Sequence, residues 1–158
     1  MTIDNPMKTE KKRILVVDDQ VRDTRLLKLY LERTDDYVVR EENDARAALS
    51  AAEEFRPNLI LLDVMMPGME GGDLAACFQA NSKLKAVPIV FLTAAVTKAE
   101  VKAGNGRIGR FPFLAKPVVL TEVAACLKYH LEMARREARA DGGQAEYEAS
   151  PMAVSRTE

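Results

Sequence analysis

From Arg13 onward, short apolar runs alternate with longer segments of helical period. That alternation predicts strands and crossover helices around a parallel sheet. Ile14-Leu15-Val16-Val17 is apolar without a break, as a strand covered on both faces must be, and it stops at Asp18-Asp19. Leu27 and Leu31, with Leu26 beside Tyr30, then mark an amphipathic helix that ends before Asp35-Asp36. Tyr37-Val38-Val39 reads as a short second strand. Asn43 or Asp44 can cap a helix carrying Ala48, Ala51, Ala52 and Phe55 on one face, and Arg56-Pro57 stops it.

Leu59-Ile60-Leu61-Leu62 is the most apolar strand and ends in Asp63, followed by a Met65-Met66-Pro67-Gly68 loop and a helix with Leu74, Cys77 and Phe78 on one face. Ile89-Val90-Phe91-Leu92 ends at Thr93, and Phe111 to Ala115 ends at Lys116. A last helix, with Thr121 as its expected N-cap, aligns Leu120, Val123, Ala124, Leu127 and Leu131. Five βα units follow one another, so the expected fold is α/β with a doubly wound, five-stranded parallel sheet.

The stripe on the last helix fades near Met133, and the remainder is polar. We therefore expect a polar tail over 1–12, one domain over 13–133, and over 134–158 a helix extension running into a disordered tail. No effector domain is expected in that tail. A length of 158 residues suits one core with tails. With 23 basic against 24 acidic residues, the charge lacks the bias of a nucleic-acid binder. Cys77 and Cys126 lack metal or redox spacing and read as reduced core thiols. The polar start has no apolar leader and no segment reaches the ~18 apolar residues that span a membrane, so a cytoplasmic protein is expected.

In a parallel sheet the strand exits share one edge, where α/β folds bind their ligands. That edge gathers Asp18, Asp19, Asp63, Thr93 and Lys116 from four strands. Three crowded aspartates would raise one another's pKa unless a cation offsets them. With one lysine their charge sums to −2, and a few hard oxygen donors suit Mg²⁺ better than zinc. An aspartate so placed can attack phosphorus and form an acyl phosphate, with the cation and Lys116 offsetting charge on the transferring oxygens.

The motifs Val16-Val17-Asp18-Asp19, Leu61-Leu62-Asp63-Val64-Met65-Met66-Pro67-Gly68-Met69-Glu70-Gly71, Leu92-Thr93-Ala94 and Leu114-Ala115-Lys116-Pro117 stand in one order along the chain. Together they resemble the response-regulator receiver domains of two-component signalling, over roughly Arg13 to Met133. The resemblance implies the (βα)5 flavodoxin-like receiver fold, with Asp63 as phosphoacceptor. Asp19 is then a direct Mg²⁺ ligand, Asp18 one acting largely through water, and Met65 the donor of a backbone carbonyl. Thr93 takes the place of the switch hydroxyl, Lys116 that of the lysine facing the phosphoryl group, Pro117 that of a cis proline, and Phe113 that of the switch aromatic.

The implied function is a single-domain response regulator, a switch rather than an enzyme with a separate substrate. It would be charged by a histidine kinase or histidine phosphotransfer protein and act on a further protein, with no nucleic acid or membrane contact. A homodimer through the fourth and fifth βα units is one arrangement the resemblance allows. An aspartyl-phosphate phosphatase would want a second acid where Met65 stands, and a pseudo-receiver would not need all five polar exit residues. Met65 and Ala95 offer no group to orient an attacking water, which predicts an acyl phosphate lasting minutes or longer. Gly104-Asn105-Gly106-Arg107-Ile108-Gly109-Arg110 predicts a short or mobile fourth helix that phosphorylation would order. His130, the only histidine, is expected to be solvated and to have no catalytic role.

Overall fold

The computed structural model describes residues 10–94, 107–108 and 110–148, with 107–108 and 142–148 traced as backbone. The strands are β1 (Lys12–Val17), β2 (Tyr37–Glu42), β3 (Leu59–Asp63), β4 (Ile89–Thr93), β5 (Arg107–Ile108) and β6 (Phe111–Ala115). The helices are α1 (Val21–Glu32), α2 (Ala48–Phe55), α3 (Gly71–Ala80) and α4 (Leu120–Glu148), with a single 3₁₀ turn at Ala45–Ala47 before α2. The sheet order is β2-β1-β3-β4-β6-β5. Its first five strands are parallel, and β5 is antiparallel to β6 at the edge.

Successive residues of the central strands feed two separate cores, which is why those strands are apolar throughout. Leu15, Val17, Ile60 and Leu62 pack with α2 and α3 through Ala48, Ala52, Leu74 and Phe78. Ile14, Val16, Leu59 and Leu61 pack on the other face with Leu27 and Leu31 of α1 and Val123 and Leu127 of α4. The doubly wound five-strand reading therefore holds, with one short antiparallel strand added beyond it.

Several local expectations shift. β2 runs on to Glu42 because its pairing with β1 continues through Val17↔Glu42, and an edge strand tolerates polar residues. Leu26 is exposed rather than packed, while Leu27 and Leu31 are buried as expected. Asp44, not Asn43, takes the capping role, accepting a hydrogen bond from the Arg46 amide at 3.0 Å. Arg56 ends α2 in the left-handed region at φ 55°, just ahead of Pro57.

α4 begins two residues earlier than a Thr121 cap requires. The Val119 carbonyl accepts from the Glu122 and Val123 amides, so Thr121 lies inside the first turn. The buried contacts of Val123 and Leu127 draw the start forward. α4 also continues past Met133 to Glu148, well beyond its packed stripe, so the helix extension is longer than the fading stripe suggests. Residues 149–158 lie outside the described residues, as do Ala95 and the proposed fourth helix with Gly104 to Gly106 and Gly109.

His130 is half-buried rather than solvated, its ring edge-on to Tyr129 at 5.0 Å. Both cysteines are free, and burial pushes the Cys126 thiol up to about 11, which keeps it protonated and inert. Among the described residues no helix is long and apolar enough to cross a membrane.

Candidate functional site

β1 lies between β2 and β3, so the chain reverses its direction of winding there and leaves a crevice at the carboxyl ends of the strands. Asp18 and Asp19 leave β1 at that crevice and Asp63 ends β3, with Val17 paired to Leu62 just before. One carboxylate oxygen from each of the three lies within 4.8 Å of the others. Asp18 and Asp63 are buried, and Asp19 is half-buried.

Lys116 reaches in from the end of β6. Its Nζ stands 2.6 Å from Asp18 Oδ2, 3.6 Å from Asp63 Oδ2 and 3.8 Å from Asp23 Oδ2. The Lys116 main chain is fixed by its amide, which donates to the Thr93 carbonyl at 2.8 Å. The Lys116-Pro117 peptide is cis, as the resemblance implies. Thr93 is buried at the end of β4, one register step beyond the Asp63↔Leu92 pair. Phe113 is paired with Phe91 and packs into the core on the α2/α3 face, so its ring points inward.

Met65 has an exposed side chain, 66% accessible, while its amide donates to Asp63 Oδ1 at 3.3 Å. The loop between needs Gly68, whose φ of 85° suits glycine alone among common residues. Two residues of the site went unread in the sequence. Asp23, in the first turn of α1, adds a fourth carboxylate beside Lys116; its place one helical turn past Asp19 was the available signal. Asn43 donates from Nδ2 to the Asp18 carbonyl at 2.8 Å, and no sequence pattern marks it out from an ordinary cap.

Electrostatics follow from this crowding. Burial first, then the neighbouring Asp18 charge, raises the Asp63 pKa to about 6, against the opposing pull of Lys116 and the Met65 amide. For Lys116 burial acts to lower the pKa, but the hydrogen bond to Asp18 and the charges of Asp18, Asp63 and Asp23 outweigh it, so the pKa rises and the ammonium stays charged.

A carboxyl whose pKa is raised by folding costs stability once the unfolded chain ionises. The penalty is absent below the usual aspartate value near 4, grows with pH, and is complete above about 6. In metal-free protein we therefore expect Asp63→Asn to melt several degrees above wild type at pH 7.5, with the gap closing by pH 4.5. Thermal melts at both values in a chelator check this, and a gap independent of pH would contradict it.

The donor set fits a hard divalent cation. Three convergent carboxylates offer oxygen only, and no cysteine or histidine accompanies them in the cluster. With Asp23 included, four carboxylates face one ammonium, leaving a surplus of negative charge that a Mg²⁺ ion would largely offset.

Residues 14–128 match the family model described as the response regulator receiver domain. The transcriptional regulatory protein ResD of Bacillus subtilis is 39% identical over 126 residues, covering 80% of this chain and 50% of ResD. The DNA-binding response regulator MtrA of Mycobacterium tuberculosis is 37% identical over 125 residues, covering 79% of this chain and 53% of MtrA. The chain thus spans about half the length of these curated relatives. Among solved structures, a CheY-like receiver domain protein of Methanospirillum hungatei superposes with a TM-score of 0.68 at 25% identity, over 80% of this chain and 98% of that one. Chemotaxis protein CheY4 of Vibrio cholerae gives 0.65 at 27% identity, over 75% and 98%.

Proposed function

Because the chain belongs to the response regulator receiver domain family of two-component signalling, in which phosphorylation on aspartate is characteristic, we propose that Asp63 accepts a phosphoryl group from a phosphohistidine. The donor is a histidine kinase or a histidine phosphotransfer protein. The observation that carries this reading is the convergence of Asp18, Asp19 and Asp63 opposite Lys116.

In the transfer, an Asp63 carboxylate oxygen forms a bond to phosphorus while the phosphorus–nitrogen bond breaks and its electron pair returns to the imidazole. Lys116, already 3.6 Å from Asp63 Oδ2, offsets charge on the transferring oxygens. Asp18 and Asp19, with Asp63 and the Met65 carbonyl, would hold Mg²⁺, which when bound neutralises phosphoryl oxygens and lets an anionic donor approach an acidic site. Thr93 offers a hydroxyl to the new phosphoryl group, and Phe113 is the aromatic whose packing would respond. The phosphorylated face then acts on a further protein. The near-neutral charge of the chain lends no electrostatic support to nucleic-acid binding.

Incubation with Mg²⁺ and phosphoramidate, followed by intact mass, tests the reading. One phosphoryl adduct should form, fail to form in excess chelator, and be released by hydroxylamine as an acyl phosphate is. An adduct that is metal-independent, or that survives hydroxylamine, would overturn it. Decay of the isolated adduct is expected over minutes or longer, since the Met65 thioether cannot orient a water; loss within seconds would contradict that.

A further inference from the structure

Asn43 takes no part in the phosphoryl chemistry, yet it is hydrogen-bonded both to the main chain of the acidic pair and to the buried Thr24. The Asn43 Nδ2 group donates one hydrogen to the Asp18 carbonyl at 2.8 Å and the other to Thr24 Oγ1 at 3.0 Å. Thr24, wholly buried, shares its own hydroxyl hydrogen between Glu41 Oε1 at 3.0 Å and the Val21 carbonyl at 3.1 Å. Glu41 in turn accepts from Arg25 Nε at 3.2 Å. A continuous chain of donors and acceptors thus runs from the exposed edge of α1 and β2 to the peptide joining Asp18 to Asp19.

That peptide is where accuracy is needed. Asp18 and Asp19 point to the same crevice although consecutive side chains of a strand diverge, so the backbone must leave extended geometry between them. Asp18 uses Oδ1 to accept from the Gln20 amide at 3.0 Å, which orients its side chain; Asn43 fixes the carbonyl on the other side of the same residue. Capping by Asp44 leaves the Asn43 amide available for this contact.

We propose that Asn43 is a positioning residue that holds the Asp18–Asp19 main chain in the conformation that lets both carboxylates meet Asp63, and so sets the affinity for a divalent cation. The inference rests on the cation reading above. Outer groups that orient metal ligands commonly govern affinity by tenfold or more when removed. A bland alternative is that Asn43 only braces α1 against β2, in which case its loss would lower the melting temperature and leave metal binding alone.

Mg²⁺ titrated calorimetrically into wild type, Asn43→Ala and Glu41→Gln, with the metal-free Tm of each, separates these. Asn43→Ala should bind Mg²⁺ about tenfold or more weakly. Glu41→Gln, which weakens the Arg25 pair but leaves Asn43 in place, should keep wild-type affinity. Folded Asn43→Ala with wild-type affinity overturns the proposal, as does Glu41→Gln weakening the metal equally. If Asn43→Ala does not fold, Thr24→Ser should match wild type while Thr24→Val, which strands the Asn43 donor, binds several-fold more weakly; equal affinities for that pair overturn it. A wild type that takes up no Mg²⁺ sinks the cation reading and this inference with it, whereas wild-type binding with unchanged variants sinks the inference alone.

Discussion

Asp63→Asn is expected to lose the phosphoryl adduct completely while folding at least as well as wild type. The change is nearly isosteric, but the carboxamide has no anionic oxygen to attack phosphorus, its nitrogen pair is delocalised, and it brings no negative charge to a cation. Lys116 keeps its shortest contact, the 2.6 Å pair with Asp18, so its ammonium remains in place. Removing a buried carboxylate that lies against Asp18 also relieves repulsion. Loss of the adduct with an intact fold therefore identifies Asp63 as the nucleophile rather than as a structural support. Phosphoramidate and Mg²⁺ with intact mass, beside a metal-free thermal melt, read both halves. An adduct of the same size on the variant would refute Asp63, and an unfolded variant would refute the electrostatic account. Asp18→Asn makes a useful comparison: it spares the nucleophile but removes the partner of Lys116, so it should slow the adduct rather than abolish it.

The strand exits could be read from the chain because the central strands are buried on both faces. A continuous apolar run that meets a carboxylate, hydroxyl or ammonium leaves only the strand end for the polar group. Asp18, Asp19, Asp63, Thr93 and Lys116 were found by that rule, and the structure brings Asp18, Asp19, Asp63 and Lys116 together. Edge elements obey weaker rules. β2 carries Arg40, Glu41 and Glu42 because half of its surface meets solvent, so its true length was hidden. β5 is two residues pairing with β6, too short to leave a period. Asn43 and Asp23 were missed for another reason: each acts through one contact made across the fold, Asn43 with Asp18 and Asp23 with Lys116, and a single polar residue at a helix start has a local use that looks sufficient.

Gly71→Ala and Gly72→Ala should move stability in opposite directions although they are neighbours. Gly71 opens α3, where its amide donates to the Val64 carbonyl at 2.8 Å. A β-carbon there would stand 2.4 Å from the Asp63 carbonyl oxygen and 2.7 Å from Val64 Cα. Both obstacles are backbone, so no side chain can turn aside; either α3 retreats or the exit of β3 bends. We expect a loss of about 2–3 kcal/mol, as for other overpacked core positions, or a Tm lower by roughly 5–12 °C for a domain of this size. Gly72 has nothing within 4 Å of its β-position, so alanine there should stabilise the helix by up to about 1 kcal/mol. Because the Gly71 clash falls on the carbonyl of the phosphoacceptor itself, Gly71→Ala should also slow phosphorylation of whatever protein remains folded, while Gly72→Ala leaves it unchanged. Melts and adduct rates for the two variants side by side decide it. Equal behaviour would mean that the close approach of α3 to Asp63 places no demand on glycine, whereas a defect confined to Gly71 ties the start of α3 directly to the position of the nucleophile.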